Sequence, residues 1–180
     1  WWHGWTWGAN TKKGGPSVML LGGVHSVGVL MRIGGDVEEV CGYSTTGHRT
    51  EYEYPPTISA SVKFKSGAIG KAGGSFEIEC PYVFNIIAHG SKGSILNDEF
   101  FTKEIFAGQE GFQKFNCTLI NSGEVAHHPF GMVINSFIDD IINDVDSLIR
   151  LDYAIKVHEV CMAIDKSAEA GGEKVKLPLL

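Results

Sequence analysis

The chain has few basic side chains and no long apolar run. Its 180 residues include 15 Lys and Arg against 21 Asp and Glu, which gives a formal net charge of -6. The longest basic run is the pair Lys12-Lys13. Because binding to a phosphate backbone needs clustered cations, this composition argues against a nucleic-acid partner. No apolar stretch approaches the roughly 20 residues of a membrane-spanning helix, and we therefore expect no membrane association.

The chain also lacks the short motifs that mark common enzyme classes. It contains no G-x-G-x-x-G and no G-x-x-x-x-G-K-[ST], and therefore no recognisable phosphate-binding turn of its own. G-x-S-x-G and H-E-x-x-H are absent too, which argues against the common serine hydrolases and zinc proteases. The chain opens with Trp1 instead of Met and without a signal peptide. We therefore expect it to be an internal piece of a longer protein.

Cysteines are few and never paired in a C-x-x-C motif. They are Cys41, Cys80, Cys117 and Cys161. Widely spaced cysteines argue against a zinc site or a redox motif and are usually reduced core residues. This pattern favours a reducing, cytoplasmic compartment.

The first regular element predicted is a helix over residues 18–33, with Ser17 as its N-cap and Gly34-Gly35 as its end. Each glycine inside a helix costs about 1 kcal/mol relative to alanine. Three glycines in one helix therefore indicate that something packs or binds close to its backbone. They are Gly22, Gly23 and Gly28.

The middle of the chain is rich in β-formers separated by short turns. Ser66-Gly67 and the segment 90–93 are the clearest turns. Short turns between successive strands predict a mostly antiparallel sheet. The predicted strands cover residues 37–44, 57–64, 68–72, 82–89, 94–96, 100–106 and 112–120.

Two helices are predicted near the end of the chain, over residues 130–142 and 153–168, because apolar residues recur there at spacings of three and four. Gly171-Gly172 ends the second helix, and residues 174–178 are predicted to form a last short strand. The sum is an α+β fold, an open and mostly antiparallel sheet with helices on one face. If the other face is apolar, a second subunit is the simplest cover for it.

His25 is the most informative candidate site residue. It lies between glycines, where small neighbours leave room for a ligand, and imidazole titrates near neutral pH. These properties suit a general acid/base, while a buried, hydrogen-bonded core histidine fits the same spacing.

His127-His128 lack a third ligand nearby, which favours a solvated loop over a metal site. The acidic residues between 139 and 146 are interpreted as a solvated helix face.

Aromatic and charged side chains also cluster near residues 49–54, in a loop that includes Arg49 and Tyr52. Such a loop suits contact with a hydroxylated ligand, and a solvated loop has the same composition. The tryptophans can stack on a sugar or nicotinamide ring, or form an interface or packing flap. They are Trp1, Trp2, Trp5 and Trp7.

A series of motifs gives the chain a resemblance to one known family. In order along the chain they are Trp7, Gly14-Gly15, Gly23 and His25; Phe64-Lys65-Ser66-Gly67-Ala68; His89-Gly90-Ser91-Lys92-Gly93-Ser94; Ser167-Ala168-Glu169-Ala170-Gly171; and Val175-Lys176-Leu177-Pro178. The chain resembles, nearly end to end, the C-terminal domain of the glucose-fructose oxidoreductase, inositol dehydrogenase and rhizopine dehydrogenase (Gfo/Idh/MocA) superfamily.

The resemblance implies a two-domain oxidoreductase that uses NAD or NADP on a sugar, polyol or related hydroxy compound. Residues 1–15 are then an irregular lead-in from an N-terminal Rossmann domain. Residues 16–180 are then a single substrate-binding and oligomerisation domain. The open sheet face is expected to form a homodimer or homotetramer. The cofactor is expected to bind the full-length protein and not this chain alone, which we expect to be inactive.

The resemblance also implies the roles of individual residues. His25 is expected to be the catalytic acid/base, and we expect Trp7, Lys12, Arg49 and Tyr52 to contact the substrate. Two acidic positions of the family motif are missing, since Leu21 stands four residues before the histidine and Gly28 three residues after it. Positions i and i+4 share a helix face, and an aspartate at residue 21 would orient the imidazole. The alternative is a non-catalytic, ligand-sensing member of the superfamily.

Overall fold

The computed structural model describes residues 6–116, 130–148 and 150–179. The chain forms two compact units, which are described separately. The first consists of Trp1–Glu79 with Gly131–Leu180, and the second of Cys80–Phe130. The division into a lead-in and a single domain stays a prediction.

The first unit is built on a four-stranded antiparallel sheet in the order β3-β2-β1-β8. Its strands are β1 (Val37–Thr45), β2 (Thr57–Phe64), β3 (Ile69–Ser75) and β8 (Val175–Lys176). Its helices are α1 (Val24–Gly34), α2 (Phe130–Ile142, whose first residue belongs to the other unit) and α3 (Leu151–Glu169). A 3-10 turn, Thr6–Ala9, and a π-helical segment, Met19–Gly23, precede α1.

The core of this unit lies between the sheet and helices α1 and α3. Strand β2 alternates strictly, since Ile58, Ala60, Val62 and Phe64 are buried while the residues between them are not. Helix α3 packs against β1 and turns a complementary stripe inward, made of Val157, Val160, Cys161 and Ile164. Burying a large apolar side chain contributes about 1.5–3 kcal/mol. The apolar face of the sheet and the apolar stripe of α3 therefore pack against each other, which places the helices on one face of the sheet.

The predicted hairpin and helix ends are confirmed. The Gly67 amide donates to the Phe64 carbonyl at 2.9 Å, and Gly67 has a φ of 87°. Gly35, Gly171 and Gly172 also have positive φ just beyond α1 and α3, a conformation that favours glycine. The two C-terminal helices form where the apolar spacing predicts them. Helix α2 buries none of its side chains among the described residues.

The prediction of one regular helix over residues 18–33 is wrong in its first turn. Met19–Gly23 is π-helical, and the α-helix begins only at Val24. The wider turn coincides with close packing. A Cβ on Gly22 would lie 3.0 Å from the Phe76 ring, and one on Gly23 would lie 2.7 Å from the sulfur of Met19. The predicted close packing therefore exists at Gly22 and Gly23, while Gly28 has open space around it.

The second unit holds a small antiparallel sheet in the order β4-β5-β6-β7. Its strands are β4 (Ile87–His89), β5 (Ser94–Leu96), β6 (Glu99–Phe101) and β7 (Gln113–Lys114). The turn predicted at 90–93 is confirmed by a hydrogen bond from the Gly90 amide to the Gly93 carbonyl at 2.8 Å.

Three predicted strands in this unit are too long. Residues 82–89, 100–106 and 112–120 form strands only at 87–89, 99–101 and 113–114, with 117–120 outside the described residues. The side chain of Gln109 ends the ladder, because it accepts from the Thr102 amide and donates to the Phe100 carbonyl, both at 2.8 Å. The phenylalanines that suggested strands instead pack ring against ring, Phe100 with Phe106 at 5.5 Å.

The α+β class with open antiparallel sheets is confirmed, but the open face of the first sheet is not apolar. The exposed side of β2 carries Ser59, Ser61 and Lys63, and Tyr43 stands opposite Ser59 on β1. None of the described helices is both long and apolar enough to cross a membrane.

Candidate functional site

The lead-in is joined to the 49–54 loop through the carboxylate of Glu53. Oε1 of Glu53 accepts a hydrogen bond from Nδ2 of Asn10 at 2.6 Å. Oε2 accepts two more from Thr11, from the backbone amide at 2.9 Å and from the hydroxyl at 2.7 Å. These bonds, the Thr11 amide first, hold the pKa of Glu53 below its ordinary value. The Glu53 amide also donates to the Ala9 carbonyl at 3.0 Å. The two segments are therefore one connected structure.

Tyr54 makes a second connection from the same loop. Its side chain is buried, and its hydroxyl donates to the Gly8 carbonyl at 2.5 Å. Burial raises the pKa of Tyr54 to about 12. Gly14 closes the lead-in turn so tightly that a Cβ there would lie 2.4 Å from Cα of Gly8. These contacts fix the turn that carries Trp7 and Lys12.

Tyr52 and Phe76 connect the loop with the π-helical segment. Their rings stack with centroids 6.1 Å apart, and Tyr52 also meets the Tyr54 ring edge-on at 5.5 Å. The Phe76 ring in turn lies against Gly22. Burial raises the pKa of Tyr52, and the charge of Arg49 partly opposes that shift. A continuous series of contacts therefore runs from Gly22 through the aromatic rings to the lead-in.

His25 is the second residue of α1 and follows the π-helical segment directly. Its side chain is exposed, and the interpretation as a buried core histidine is therefore wrong. Leu21 lies within the π-helical segment and is half-buried. The space around Gly28 is open, and its carbonyl accepts a hydrogen bond from the Tyr153 hydroxyl on α3. At the two positions where the family motif is acidic, this chain therefore has an apolar side chain, Leu21, and a glycine, Gly28.

The predicted substrate contacts lie on the two connected segments. Trp7 is 42% exposed on the 3-10 turn, and Lys12 is exposed on the turn that follows. Arg49 forms an ion pair with Glu51 at 3.2 Å, in the same loop as the half-buried Tyr52. Trp7, Lys12 and Tyr52 therefore lie on one framework, two segments that hydrogen bonds and ring contacts join to each other.

Other candidates take no part in this framework. Trp1, Trp2, Trp5, His127 and His128 lie outside the described residues. In the part of the chain that the structure describes, no three His, Cys, Asp or Glu side chains gather to hold a metal ion.

This arrangement combines three chemical capacities. An exposed imidazole on a fixed helix can exchange a proton with a bound hydroxyl group. An exposed indole offers an apolar face to a sugar ring. Lys12 and Arg49 add donors for hydroxyl or carboxylate oxygens. The set suits recognition of a polyhydroxylated small molecule.

Sequence reasoning missed the residues that hold this site together. Glu53 and Tyr54 were noticed only as part of a polar, aromatic loop, and Phe76 carries no motif. Their roles depend on partners 40 or more residues away, or on a glycine in another element. Only the unusual glycine pair Gly22-Gly23 signalled that something packs there.

The fold and site define the class of protein, a helix-backed antiparallel domain with an exposed histidine on α1 and an aromatic and cationic loop that is joined to the lead-in. A family model, the GFO/IDH/MocA C-terminal domain, matches residues 1–96. Because this is more than half of the 180 residues, the chain belongs to that family.

Solved structures share the fold. Levoglucosan dehydrogenase in complex with NADH and levoglucosan superimposes with a TM-score of 0.79 at 15% identity, over 97% of this chain and 54% of that one. The WlbA dehydrogenase from Bordetella pertussis, in complex with NADH and UDP-GlcNAcA, gives 0.65 at 20% identity, over 90% and 45%.

An aldose-aldose oxidoreductase from Caulobacter crescentus, complexed with glycerol, gives a TM-score of 0.73 at 17% identity, over 95% and 50%. The chain therefore spans about half the length of the structures it matches. No curated protein sequence matches it.

Proposed function

We propose that the chain is the substrate-binding domain of an NAD(P)-dependent oxidoreductase that acts on a sugar, polyol or related hydroxy compound. One observation carries the proposal. The lead-in, the π-helical segment before His25 and the 49–54 loop form a single framework around Glu53, Tyr52 and Phe76. Family membership and the dehydrogenase neighbours support the reaction class.

In this proposal His25 is the acid/base that takes up the proton of the substrate hydroxyl group. Its exposure supports the role, because the imidazole is accessible to a ligand. Trp7, Lys12, Arg49 and Tyr52 bind the substrate. Tyr52 acts mainly through its ring and Arg49 through its charge.

The cofactor is not held by this chain in the proposal. Gly22 and Gly23 are the glycines nearest the start of α1, and Phe76 and Met19 occupy the space beside them. They therefore do not form the open glycine turn that a pyrophosphate needs at a helix N-terminus. We expect NAD and NADP to leave the fluorescence of the isolated chain unchanged, and the isolated chain to be inactive.

Assembly through the open sheet face is also part of the proposal. The face is mostly polar but exposes Ile69 and Tyr43, and a homodimer or homotetramer would therefore combine hydrogen bonds from residues such as Ser59 and Ser61 with contacts of these two side chains.

A second candidate is a ligand-sensing member of the family without catalysis. Leu21 and the open space at Gly28 favour it, because no carboxylate at these positions orients His25. Both candidates bind a hydroxylated small molecule and differ in turnover.

The deciding experiment assays the natural full-length protein that contains this chain. A panel of sugars, polyols and sugar acids is offered with NAD and with NADP, and reduced cofactor is followed by absorbance. The oxidoreductase predicts turnover of at least one substrate. Ligand binding by calorimetry with no turnover of any bound compound would instead establish the sensor.

A further inference from the structure

A carboxyl group lies at the contact between α3 and the residues that lead into the π-helical segment. Oδ2 of Asp165 is 2.5 Å from the hydroxyl oxygen of Ser17. Asp165 is half-buried, and the residues around it on the inner face of α3 are fully buried, Cys161 and Ile164 among them. This polar pair lies beside a mostly apolar packing surface, on which Ser167 is another polar residue, and neither the reaction nor the substrate contacts proposed above use the pair.

Ser17 transmits this contact to the π-helical segment. Its hydroxyl oxygen accepts a hydrogen bond from the Leu20 amide at 3.1 Å, and its carbonyl accepts one from the Leu21 amide at 3.1 Å. A hydroxyl has one proton to donate. When that proton points to the Asp165 carboxylate, the oxygen lone pairs are left for the Leu20 amide. Asp165 thereby orients the hydroxyl group that accepts the Leu20 amide proton in the π-helical segment in front of α1.

The pKa of the Asp165 carboxyl group lies near neutral pH. Burial raises the pKa of Asp165 to about 6, the Ser17 hydrogen bond opposes that rise, and the charge of Glu169 adds to it. The π-helical segment, Met19–Gly23, contributes no ionisable side chain. The other elements packed on α3 carry the ionisable residues His25 and Arg32 on α1, Glu38, Glu39, Cys41 and Tyr43 on β1, and Lys176 on β8.

Several of those groups have partners of their own. Arg32 lies 4.1 Å from the Tyr153 ring centroid, and Glu38 and Glu39 pair with Lys63 and Lys174. The charge that acts on Asp165 is that of Glu169, on the same helix.

We infer that Asp165 is a positioning residue, which holds the start of the π-helical segment that leads into the His25 helix, through the hydroxyl of Ser17. The inference rests on the proposed function for the role of His25. In the ionised state Asp165 accepts the Ser17 proton and strengthens the bond from the Leu20 amide, because hydrogen bonds in series polarise one another. In the protonated state the carboxyl proton competes for the same hydroxyl oxygen.

The test follows the Leu20 amide and the His25 ring by NMR while the pH is varied from 4.5 to 8. In the wild-type chain the Leu20 nitrogen shift changes with a midpoint near pH 6, together with the Asp165 carboxyl carbon. The step is absent in Asp165→Asn, which keeps an oxygen for the Ser17 proton and serves as the variant that retains the fold. It is also absent in Ser17→Ala, where Leu20 amide exchange is about fivefold faster. Glu169→Gln is the control, since it keeps the step and moves its midpoint to lower pH.

At pH 8 the His25 ring resonances are expected to differ between the wild type and Ser17→Ala, because the segment before the helix is held differently. A Leu20 shift that stays flat while Asp165 titrates, or a step that persists in Ser17→Ala, overturns the inference. So do His25 resonances that are identical in the wild type and in Ser17→Ala. These signals need no substrate. A full-length protein with an intact Leu20 step and no turnover therefore contradicts the proposed function and not the positioning.

Discussion

Two glycines of helix α1 illustrate how differently one residue type is used in this fold. Gly34 lies against the fully buried Phe64 ring, and a Cβ there would be 2.3 Å from ring atom Cζ. At Gly28, two turns earlier, a Cβ would meet nothing within 4 Å beyond the neighbouring backbone of its own helix. The first glycine is required by packing, while the second costs helix stability without a packing reason.

We therefore expect opposite effects from alanine at the two positions. Gly34→Ala forces the Phe64 ring to move and destabilises the chain by about 1–3 kcal/mol. Gly28→Ala stabilises it by up to about 1 kcal/mol, because alanine is the better helix former. Urea unfolding of both variants measures the difference. Equal free energies of unfolding would contradict the packing described for Gly34.

Asp165 gives the stability of the chain a specific dependence on pH. Its pKa is about 6 in the fold and 3.8 as the ordinary value. Because the folded value is the higher one, the protonated form favours folding. Its contribution is complete below pH 3.8 and is lost as the pH rises through about 6. Asp165→Asn should therefore gain stability relative to the wild type between pH 4.5 and pH 8.

Asp152 is the matched control for this prediction. The hydrogen bond from Arg150 lowers the pKa of Asp152 to about 2, and its linkage therefore operates below pH 4. The difference in free energy of unfolding between Asp152→Asn and the wild type should stay constant between pH 4.5 and pH 8. The same change with pH in both variants would refute the assignment to Asp165.

At the residue scale, the sequence predicts which residues are candidates for the site better than it predicts their burial and their hydrogen-bond partners. His25, Trp7 and Tyr52 stand out by type and spacing. That His25 is exposed depends on where α1 packs, which the glycines around it do not reveal. The partners of Ser17 and Glu53 come from distant segments, 148 and more than 40 residues away, and short-range patterns carry no trace of them.

At the scale of elements, the connection between the lead-in and the 49–54 loop depends on Glu53. Glu53→Ala removes three acceptor bonds, and we expect amide exchange at Thr11 to become about tenfold faster, since the Thr11 amide loses its charged acceptor. Glu51→Ala is the control, because Glu51 pairs with Arg49 within the loop. The exchange rate of the Thr11 amide proton, measured by NMR, is compared between the two variants. Unchanged exchange at Thr11 in Glu53→Ala would show that the lead-in is held by other contacts.

Element prediction succeeded where one periodicity dominates. Strand β2 and helix α3 follow from strict spacings of two and of three to four, because each has one buried face. It failed in the second unit, where phenylalanines pack as an aromatic cluster and Gln109 ends a ladder through its side chain. The π-helical segment was missed because its glycines pack against Phe76 and Met19, contacts that helix propensity and apolar spacing do not reveal.

At the scale of the whole molecule, the family and the α+β fold are established, and the chemistry is proposed. The chain covers about half of each matched structure. Within it, the proposed site centres on an exposed histidine on a helix that the surrounding contacts hold in place.

The most direct test of that claim is the kinetics of His25→Ala in the natural full-length protein, measured on the substrate found in the panel. A general acid/base contributes about 10²- to 10⁴-fold, and kcat should fall by that factor while KM changes little. His158→Ala, an exposed histidine on α3 that contacts the Ala154 carbonyl, is the control and should keep full activity. Full activity in His25→Ala would contradict the account.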